Sequence, residues 1–266
     1  MKRMLRTVAV TRYVTPLREG GSVPAIVEAD DAGMYVLKFR GAGQGPRALI
    51  AEIIAGELAR AAGLPVPEIV LIELDPDLAR TEPDPELQEL IRKSGGLNVA
   101  LDYLPGAVMF DPLVHRPEPD LASAVVWFDA FVTNVDRTAR NTNMLMWHRR
   151  LHLIDHGASL YFHHAWDQDL GGVAERSRDP FSLVKDHVLL PHADRLPEAS
   201  ARMTQALTAA TVRDVVALVP DQFLTGEPAG AAPYTYKEAY FQYLQARLAA
   251  PQAFVEEAIR AHAALV

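Results

Sequence analysis

Cysteine is absent from the 266-residue sequence, and lysine is scarce, with five residues against 21 arginines. The lack of cysteine excludes disulfide bonds and thiolate metal sites, which agrees with a reducing compartment. No apolar run is long enough to cross a bilayer, and the basic amino terminus lacks the continuous apolar segment of a signal peptide. We therefore expect a cytoplasmic protein without membrane spans.

Positive charge is also in deficit, since the formal net charge is −8. A surface for duplex nucleic acid is therefore not expected. The hydrophobic content of 49% and the chain length are sufficient for a large core, either in one domain or in two closely packed lobes.

The most informative stretch of the chain combines polar residues with two short apolar runs. These runs, Met144–Trp147 and Leu151–Ile154, flank a polar turn, which predicts a tight β-hairpin. Asp155 follows the second run, and the loop before the first run contains Asp136 and Asn141. If the hairpin forms, two carboxylates and a carboxamide share one edge, an oxygen-rich arrangement suited to Mg²⁺ and phosphate.

The same residues resemble the catalytic core of protein-kinase-like enzymes. There, an Asp is followed five residues later by a metal-binding Asn, and an Asp-x-Gly aspartate binds Mg²⁺. Asp136, Asn141 and Asp155-His156-Gly157 match this pattern, and Asp-Arg-x-x-x-Asn is similar to the HipA-like and phosphoinositide-kinase-like branches. His-Arg before the aspartate is replaced by Asn134-Val135 and no Ala-Pro-Glu follows, so regulation through an activation loop is not implied. The alternative is a polar surface loop with a hairpin.

The amino-terminal part predicts three strands joined by glycine-containing turns. The strands are residues 5–14, Val23–Glu28 and Met34–Phe39. This order resembles the amino-terminal lobe of a kinase, in which Gly20, Gly21 and Ser22 would lie over the ATP phosphates and Lys38 would contact the α- and β-phosphates. The alternatives are a plain hairpin turn and a lysine on an exposed strand face.

A helix is predicted from about Arg47 to Ala62, because Gly63 follows and Pro65 lies beyond it. The helix carries Glu52 and Glu57, which lie on different faces because they are five residues apart. We favour Glu52 as the partner of Lys38, since the sequence after it resembles HipA-like proteins. Each glutamate could instead be a solvated helix carboxylate.

A further strand, Leu97–Leu104, ends at Pro105-Gly106 before a mostly helical half. This position resembles the hinge between kinase lobes, so the backbone of Asp102, Tyr103 and Leu104 would contact adenine. Helices are predicted at Leu121–Val135, Glu198–Ala210 and Lys237–Val266, the last broken near Pro251. The predicted fold is therefore α+β and bilobed, with a mainly antiparallel β lobe at 1–104 and a helical lobe at 105–266.

Together, the resemblance to HipA-like kinases implies an ATP- and Mg²⁺-dependent serine/threonine protein kinase of bacterial origin. Asp136 would accept or orient the acceptor hydroxyl, Asn141 and Asp155 would hold Mg²⁺, and Lys38, oriented by Glu52, would hold the phosphates. Further candidates in the loop are Arg137, Arg140 and Asn143, for which loop solvation is the alternative. Ser22 is a candidate autophosphorylation site, because family members carry a modifiable serine in the nucleotide loop.

Several partners and activities remain open at the level of sequence. The acceptor is a protein or a small molecule, and the rival functions are a small-molecule or lipid kinase on the same fold and a nucleotide-binding pseudokinase. The family belongs to a toxin–antitoxin lineage, but the chain has little length before the kinase core, which leaves an antitoxin-type partner open. The neighbouring His163 and His164 lack a third metal ligand at a recognised spacing, so we expect them to be structural.

Overall fold

The computed structural model describes residues 4–17, 23–166, 170, 172–227 and 230–265. This part of the chain has an α+β fold with a β-barrel lobe followed by a mainly helical lobe. The strands are Thr7–Pro16 (β1), Ala25–Ala29 (β2), Met34–Lys38 (β3), Ile69–Leu74 (β4), Gly96–Asp102 (β5), Val108–Met109 (β6), Met144–Trp147 (β7) and Arg150–Leu153 (β8). The helices are Pro46–Ala61 (α1), Pro85–Lys93 (α2), Pro119–Val132 (α3), Val173–Arg176 (α4), Leu196–Ala206 (α5), Ala209–Val216 (α6), Pro233–Ala249 (α7) and Gln252–Ala263 (α8).

The first five strands close into a barrel in the order β1-β2-β3-β5-β4. The β1–β4 pair is parallel, and the other four pairs are antiparallel. Alternate side chains of β2, Ala25, Val27 and Ala29, point into the barrel, where they join Leu37 and Ile72 in its core. The prediction of a mainly antiparallel amino-terminal lobe is therefore confirmed.

Helix α1 lies between the barrel and the helical lobe. All residues from Leu49 to Ala59 are buried, and they share one core with β5 and α3. A helix that is apolar on every side is stable only when it is covered on every side, which explains why its sequence lacks a polar face. Glu52 and Glu57 are 0% and 1% exposed, so the alternative of a solvated carboxylate is wrong for both.

Helix α3 carries the chain to the polar loop that contains Asp136. Its residues from Ala122 to Val132 are buried, including Trp127 and Phe128. The apolar stripe predicted a helix as far as Val135, but Thr133 adopts the left-handed conformation and ends the helix three residues earlier. The polar loop therefore begins directly after this turn.

The predicted hairpin is present as β7 and β8, and the short strand β6 pairs with β7 to complete a three-stranded sheet. Both turn residues, His148 and Arg149, have positive φ angles of 47° and 63°. Two such residues form the tight turn whose twist matches that of the flanking strands. The side chain of Trp147 attaches the hairpin to the segment between the lobes by donating to the carbonyl of Pro105 at 3.0 Å.

The carboxyl-terminal helices pack around α3, and α8 contacts both α3 and α5. The predicted break near Pro251 separates α7 from α8. Among the residues that the structure describes, no helix is both long enough and apolar enough to cross a bilayer.

Candidate active site

Three side chains that lie far apart in the sequence meet at the boundary between the lobes. The ammonium nitrogen Nζ of Lys38, at the end of β3, lies 2.7 Å from Oε2 of Glu52 in α1 and 2.5 Å from Oδ1 of Asp155 after β8. Lys38 is therefore neither on an exposed strand face nor free of partners. The contact with Glu52 is the one that the sequence favoured over Glu57, whose carboxylate pairs with Arg60 on α1.

The charges of this cluster stabilise one another, with Lys38 and Glu52 largely buried and the side chain of Asp155 39% exposed. Burial by itself lowers the pKa of Lys38, but the carboxylates of Asp155 and Glu52 outweigh it and raise that pKa. Burial raises the pKa of Glu52, but Lys38 and the hydrogen bond from His156 outweigh this effect and hold it at about 2. The lysine is therefore charged and fixed in position, as a group that contacts phosphate must be.

Glu52 also fixes the backbone that carries Asp155. Its Oε2 accepts a hydrogen bond from the backbone N–H of His156 at 2.9 Å, and its Oε1 lies 3.4 Å from the His156 ring. Asp155 has a positive φ of 53°, which is unusual for a residue other than glycine. The contact between Glu52 and this backbone has no signature in the sequence, because it joins residues 104 positions apart.

The loop of residues 134–143, termed the Asp136 loop below, is organised around the Asp136 carboxylate. Oδ2 of Asp136 accepts hydrogen bonds from Nδ2 of Asn141 at 2.7 Å and from Nδ2 of Asn143 at 3.3 Å. Partial burial raises the pKa of Asp136; the amide of Asn143 opposes this shift, and the charge of Asp155 adds to it. A carboxylate with a raised pKa accepts a proton more readily than an ordinary aspartate does.

The oxygen atoms at this site fit a hard divalent cation. Because Asn141 donates to Asp136 through its amide nitrogen, its amide oxygen is the atom that would bind a metal, together with the carboxylate of Asp155. In the described part of the chain, no group of three or more His, Asp or Glu side chains is arranged to hold a metal ion. Two protein oxygens suit Mg²⁺, which takes its remaining ligands from substrate phosphates and water.

The other candidates in the Asp136 loop have different environments. Arg137 is 1% exposed and forms a buried ion pair with Asp129, so loop solvation does not explain it. Arg140 is exposed, whereas Asn143 is buried and also donates to the backbone carbonyl of Asp136 at 3.1 Å. Asn143 therefore supports the loop from within.

Two backbone amides of the hinge-like segment are already engaged within the barrel lobe. The N–H of Asp102 donates to the carbonyl of Glu68 at 2.8 Å, and the N–H of Tyr103 donates to that of Met34 at 3.0 Å. Both amides extend the barrel ladders, so of the three predicted adenine contacts only Leu104 could offer an amide.

Two other predictions concern the phosphate turn and the paired histidines. Gly20, Gly21 and Ser22, the predicted phosphate turn with its candidate autophosphorylation site, lie outside the described residues. His163 is fully buried, and its Nδ1 lies 2.9 Å from the hydroxyl of Tyr240. Burial lowers the pKa of His163 well below its usual value, so the ring is a neutral structural group.

A cavity of about 500 Å³ lies next to the Asp136 loop. Thr133 and Val135 line it on the side of the loop, and Phe181 and Leu183 are among the residues that line it elsewhere. Leu183 is 48% exposed, so the cavity communicates with solvent. Its size and largely apolar lining fall in the range of ligand-binding pockets.

The family model described as "HipA-like kinase" matches residues 10–252. A search of curated protein sequences gave no match.

Similar solved structures are kinases. A crystal structure of the proinflammatory kinase CtkA of Helicobacter pylori is 13% identical, with a TM-score of 0.52 over 98% of this chain and 99% of that chain. The Golgi casein kinase with Mn and ADP bound is 11% identical, with a TM-score of 0.53 over 95% of this chain and 74% of that chain. A second structure of the Golgi casein kinase is 12% identical, with a TM-score of 0.52 over 95% and 72% of the two chains. At these identities the likeness shows a protein-kinase-like fold.

Proposed function

The chain belongs to the HipA-like kinase family, and from this premise we propose that it transfers the γ-phosphate of ATP to a hydroxyl group with the help of Mg²⁺. The observation that carries the proposal is the contact of the Lys38 ammonium with both Glu52 and Asp155. In phosphoryl transfer, catalysis depends on positioning and on charge neutralisation, and a lysine fixed by a buried glutamate beside a metal-binding aspartate supplies both.

Each residue of the site has a distinct role in this proposal. Lys38 binds the α- and β-phosphates, and Glu52 keeps it in place. Asp136 orients the acceptor hydroxyl and takes its proton as the new O–P bond forms and the bond between the γ-phosphorus and the bridging oxygen of ATP breaks, so that ADP leaves. Asn141 and Asp155 would hold Mg²⁺, which would neutralise charge on the phosphates.

For the acceptor, we propose a serine or threonine of a protein. The membership of the HipA-like kinase family supports this proposal, and the cavity beside the Asp136 loop, which Val135 helps to line, offers space for a group next to the acceptor hydroxyl. An apolar side chain next to the acceptor hydroxyl could enter the cavity and place the hydroxyl near the carboxylate. A small-molecule acceptor with an apolar group would use the same space, and the choice of acceptors in the experiment distinguishes the two.

The experiment is ATP turnover with Mg²⁺, in which phosphate is followed on the protein itself, on proteins and on small hydroxyl compounds. The variants are Asp136→Ala, Asp155→Ala and, as a control, Asp214→Ala, which removes an exposed aspartate. We expect transfer to be lost in the first two variants and retained in the control, with ATP binding largely kept in Asp136→Ala.

Two outcomes would contradict the proposal. A wild-type protein that binds ATP but transfers phosphate to no acceptor would be a pseudokinase. A protein that binds no nucleotide would overturn the assignment as a whole. Transfer to small compounds but not to proteins would keep the reaction and change the acceptor.

A further inference from the structure

A second cluster of buried polar groups lies behind the Asp136 loop and does not contact the proposed phosphate site directly. Its centre is Asp129 on α3, which is 0% exposed. One carboxylate oxygen, Oδ2, accepts hydrogen bonds from Nε of Arg137 and, at 2.9 Å, from Nε2 of His187. The other, Oδ1, accepts a hydrogen bond from Nδ2 of Asn134 at 3.0 Å. A buried carboxylate is tolerated when it is paired in this way.

The contacts of His187 fix which of its ring nitrogens carries the hydrogen. The backbone N–H of Leu189 donates to Nδ1 of His187 at 3.0 Å, so Nδ1 acts as the acceptor. In the neutral ring, Nε2 then carries the hydrogen and donates it to Asp129. His187 therefore accepts a hydrogen bond from the backbone of Leu189 on one side of its ring and donates one to the Asp129 carboxylate on the other.

Arg137 continues this link into the Asp136 loop. Its Nη1 donates to the carbonyl oxygens of Asn143 at 2.5 Å and of Ile154 at 3.4 Å. Asn143 in turn donates to the backbone carbonyl of Asp136, and Ile154 precedes Asp155 in the chain. The Arg137 guanidinium thus contacts the backbone of the Asp136 loop and the backbone of the residue before Asp155.

The segment that contains His187 is also attached to the loop through its backbone. The N–H of Val188 donates to the carbonyl of Arg137 at 3.1 Å, and His187 forms an isolated antiparallel bridge with Thr138. The side chain of His187 is 3% exposed, so water does not compete for these contacts. The loop is therefore held from one side by α3 and from the other by residues 187–188.

We propose that His187 is a positioning residue for phosphoryl transfer, acting through Asp129 and Arg137 to fix the orientation of the Asp136 loop. The inference rests on the proposed function. It adds that the rate of transfer depends on a residue that touches neither ATP nor acceptor, because a displacement of about 1 Å in a catalytic group can cost about 100-fold in rate.

Three substitutions separate positioning from simple packing. In His187→Gln, the amide nitrogen can take the place of Nε2 and donate to Asp129, whereas in His187→Asn the shorter side chain reaches only as far as Nδ1. His187→Ala removes both contacts. We expect kcat to fall at least about tenfold in the Asn and Ala variants and less than about threefold in the Gln variant, while the Kd for ATP changes less than about twofold in all three.

A packing role predicts a different pattern. If the Gln and Asn variants lose the same kcat, or if kcat falls only in proportion to thermal stability, His187 fills space and the inference is wrong. A loss of ATP affinity as large as the loss of kcat would also overturn it, because the shorter contact of Arg137 leads to the Asp136 loop and only the 3.4 Å contact with Ile154 leads towards Asp155.

A second measurement does not depend on catalysis. Hydrogen exchange of the backbone amides in residues 137–143 reports directly on how firmly the loop is held. We expect faster exchange there in the Asn and Ala variants than in the Gln variant, with the barrel amides unchanged. If the wild type transfers no phosphate, the proposed function fails, but this exchange pattern still tests the positioning role, and equal exchange in all variants would exclude it.

Discussion

At the scale of single residues, the buried carboxylate of Glu52 contacts three groups that belong to two residues, Lys38 and His156. It binds the ammonium of Lys38, accepts the N–H of His156 and lies against the ring of the same histidine. Its loss would release both the lysine and the turn that carries Asp155. If Glu52 positions Lys38, its substitution should slow phosphoryl transfer. Substitution of Glu57, the other buried acid on α1, should not have this effect.

We expect Glu52→Gln to lower the rate of phosphoryl transfer at least about tenfold, because Lys38 loses the buried one of the two carboxylates that hold it in place. The matched control is Glu57→Gln, which removes an equally buried carboxylate from the same helix, one that pairs with Arg60. The control is expected to stay within about threefold of the wild type. Steady-state kinetics with ATP as the varied substrate measures both, and equal losses in the two variants would contradict the role of Glu52.

The pH dependence of stability offers a second test of the same residue. The pKa of Glu52 is about 2 in the folded protein, and that of an unperturbed glutamate is about 4.3. Because the folded value is depressed, the stabilisation from this carboxylate is complete above about pH 4.3 and is lost as the pH falls towards 2. We expect the difference in unfolding free energy between the wild type and Glu52→Gln, measured by urea titration, to narrow over this range. Parallel pH profiles would show that Glu52 is not held ionised.

The sequence identified much of the proposed site but little of what supports it. Lys38, Glu52, Asp136, Asn141 and Asp155 follow from their spacing and from the family resemblance, because chain order and local motif suffice to find them. Asp129 and His187 could not be found in this way. An aspartate within an apolar helix and a histidine 58 residues later carry no shared pattern, and only the folded chain brings them together.

At the scale of elements, α1 shows what a fully enclosed helix requires. Gly56 lies where α1 faces β4, and a Cβ atom at this position would clash with Cδ1 of Ile69 and lie 3.6 Å from Nδ1 of His156. Glycine ordinarily weakens a helix by about 1 kcal/mol relative to alanine. At this position the close approach of the strand outweighs that cost.

We therefore expect Gly56→Ala to destabilise the protein by about 1–3 kcal/mol, the usual cost of overpacking a dense core, although the same change stabilises an exposed helix. Ile69→Val removes the clashing Cδ1 atom and by itself should cost about 0.5–1.5 kcal/mol. The double variant should be more stable than the sum of the two losses predicts. Chemical denaturation measures all three, and strict additivity would mean that the contact is not limiting.

Element boundaries were predicted less well than the elements themselves. The apolar stripe of α3 continues to Val135, but the left-handed Thr133 ends the helix earlier. The contact of the backbone of Asp102, Tyr103 and Leu104 with adenine stays a prediction, and the amides of Asp102 and Tyr103 already form hydrogen bonds within the barrel lobe. Periodicity shows where apolar residues recur, whereas these outcomes depend on neighbours that are distant in the sequence.

At the scale of the whole molecule, Arg247 of α7 connects the end of α3 to residues 177–179, of which Asp179 lines the cavity. Its guanidinium is buried and donates to the carbonyl oxygens of Phe131 at 2.9 Å and Ala130 at 2.7 Å. It also donates to those of Ser177 at 3.1 Å and Asp179 at 2.7 Å. No motif marks this arginine, because its partners are backbone atoms.

We expect Arg247→Met to lower the free energy of unfolding by at least about 3 kcal/mol, because four carbonyl groups lose a donor at once. Arg247→Lys should recover part of the loss, since an ammonium has three donors but not the planar fork of arginine. Arg260→Met is the control, because that side chain is 75% exposed and should change stability by less than about 0.5 kcal/mol. Equal effects of the two Met substitutions in urea denaturation would refute the role of Arg247.

The sequence by itself determined the kinase-like fold, the family and the order of the lobes. Both the resemblance to HipA-like kinases and the α+β class are confirmed, because strand alternation, helix periodicity and short motifs are local properties of the chain. The boundary at residue 104 and the roles of the site residues remain predictions. Tertiary structure alone decided how Asp129, Arg137 and His187 hold the Asp136 loop and where Arg247 joins distant backbone. The contacts of His187 with Asp129 and of Arg247 with Phe131 join residues 58 and 116 positions apart, over which local pattern carries no information, and they are fixed by burial that only the complete fold provides.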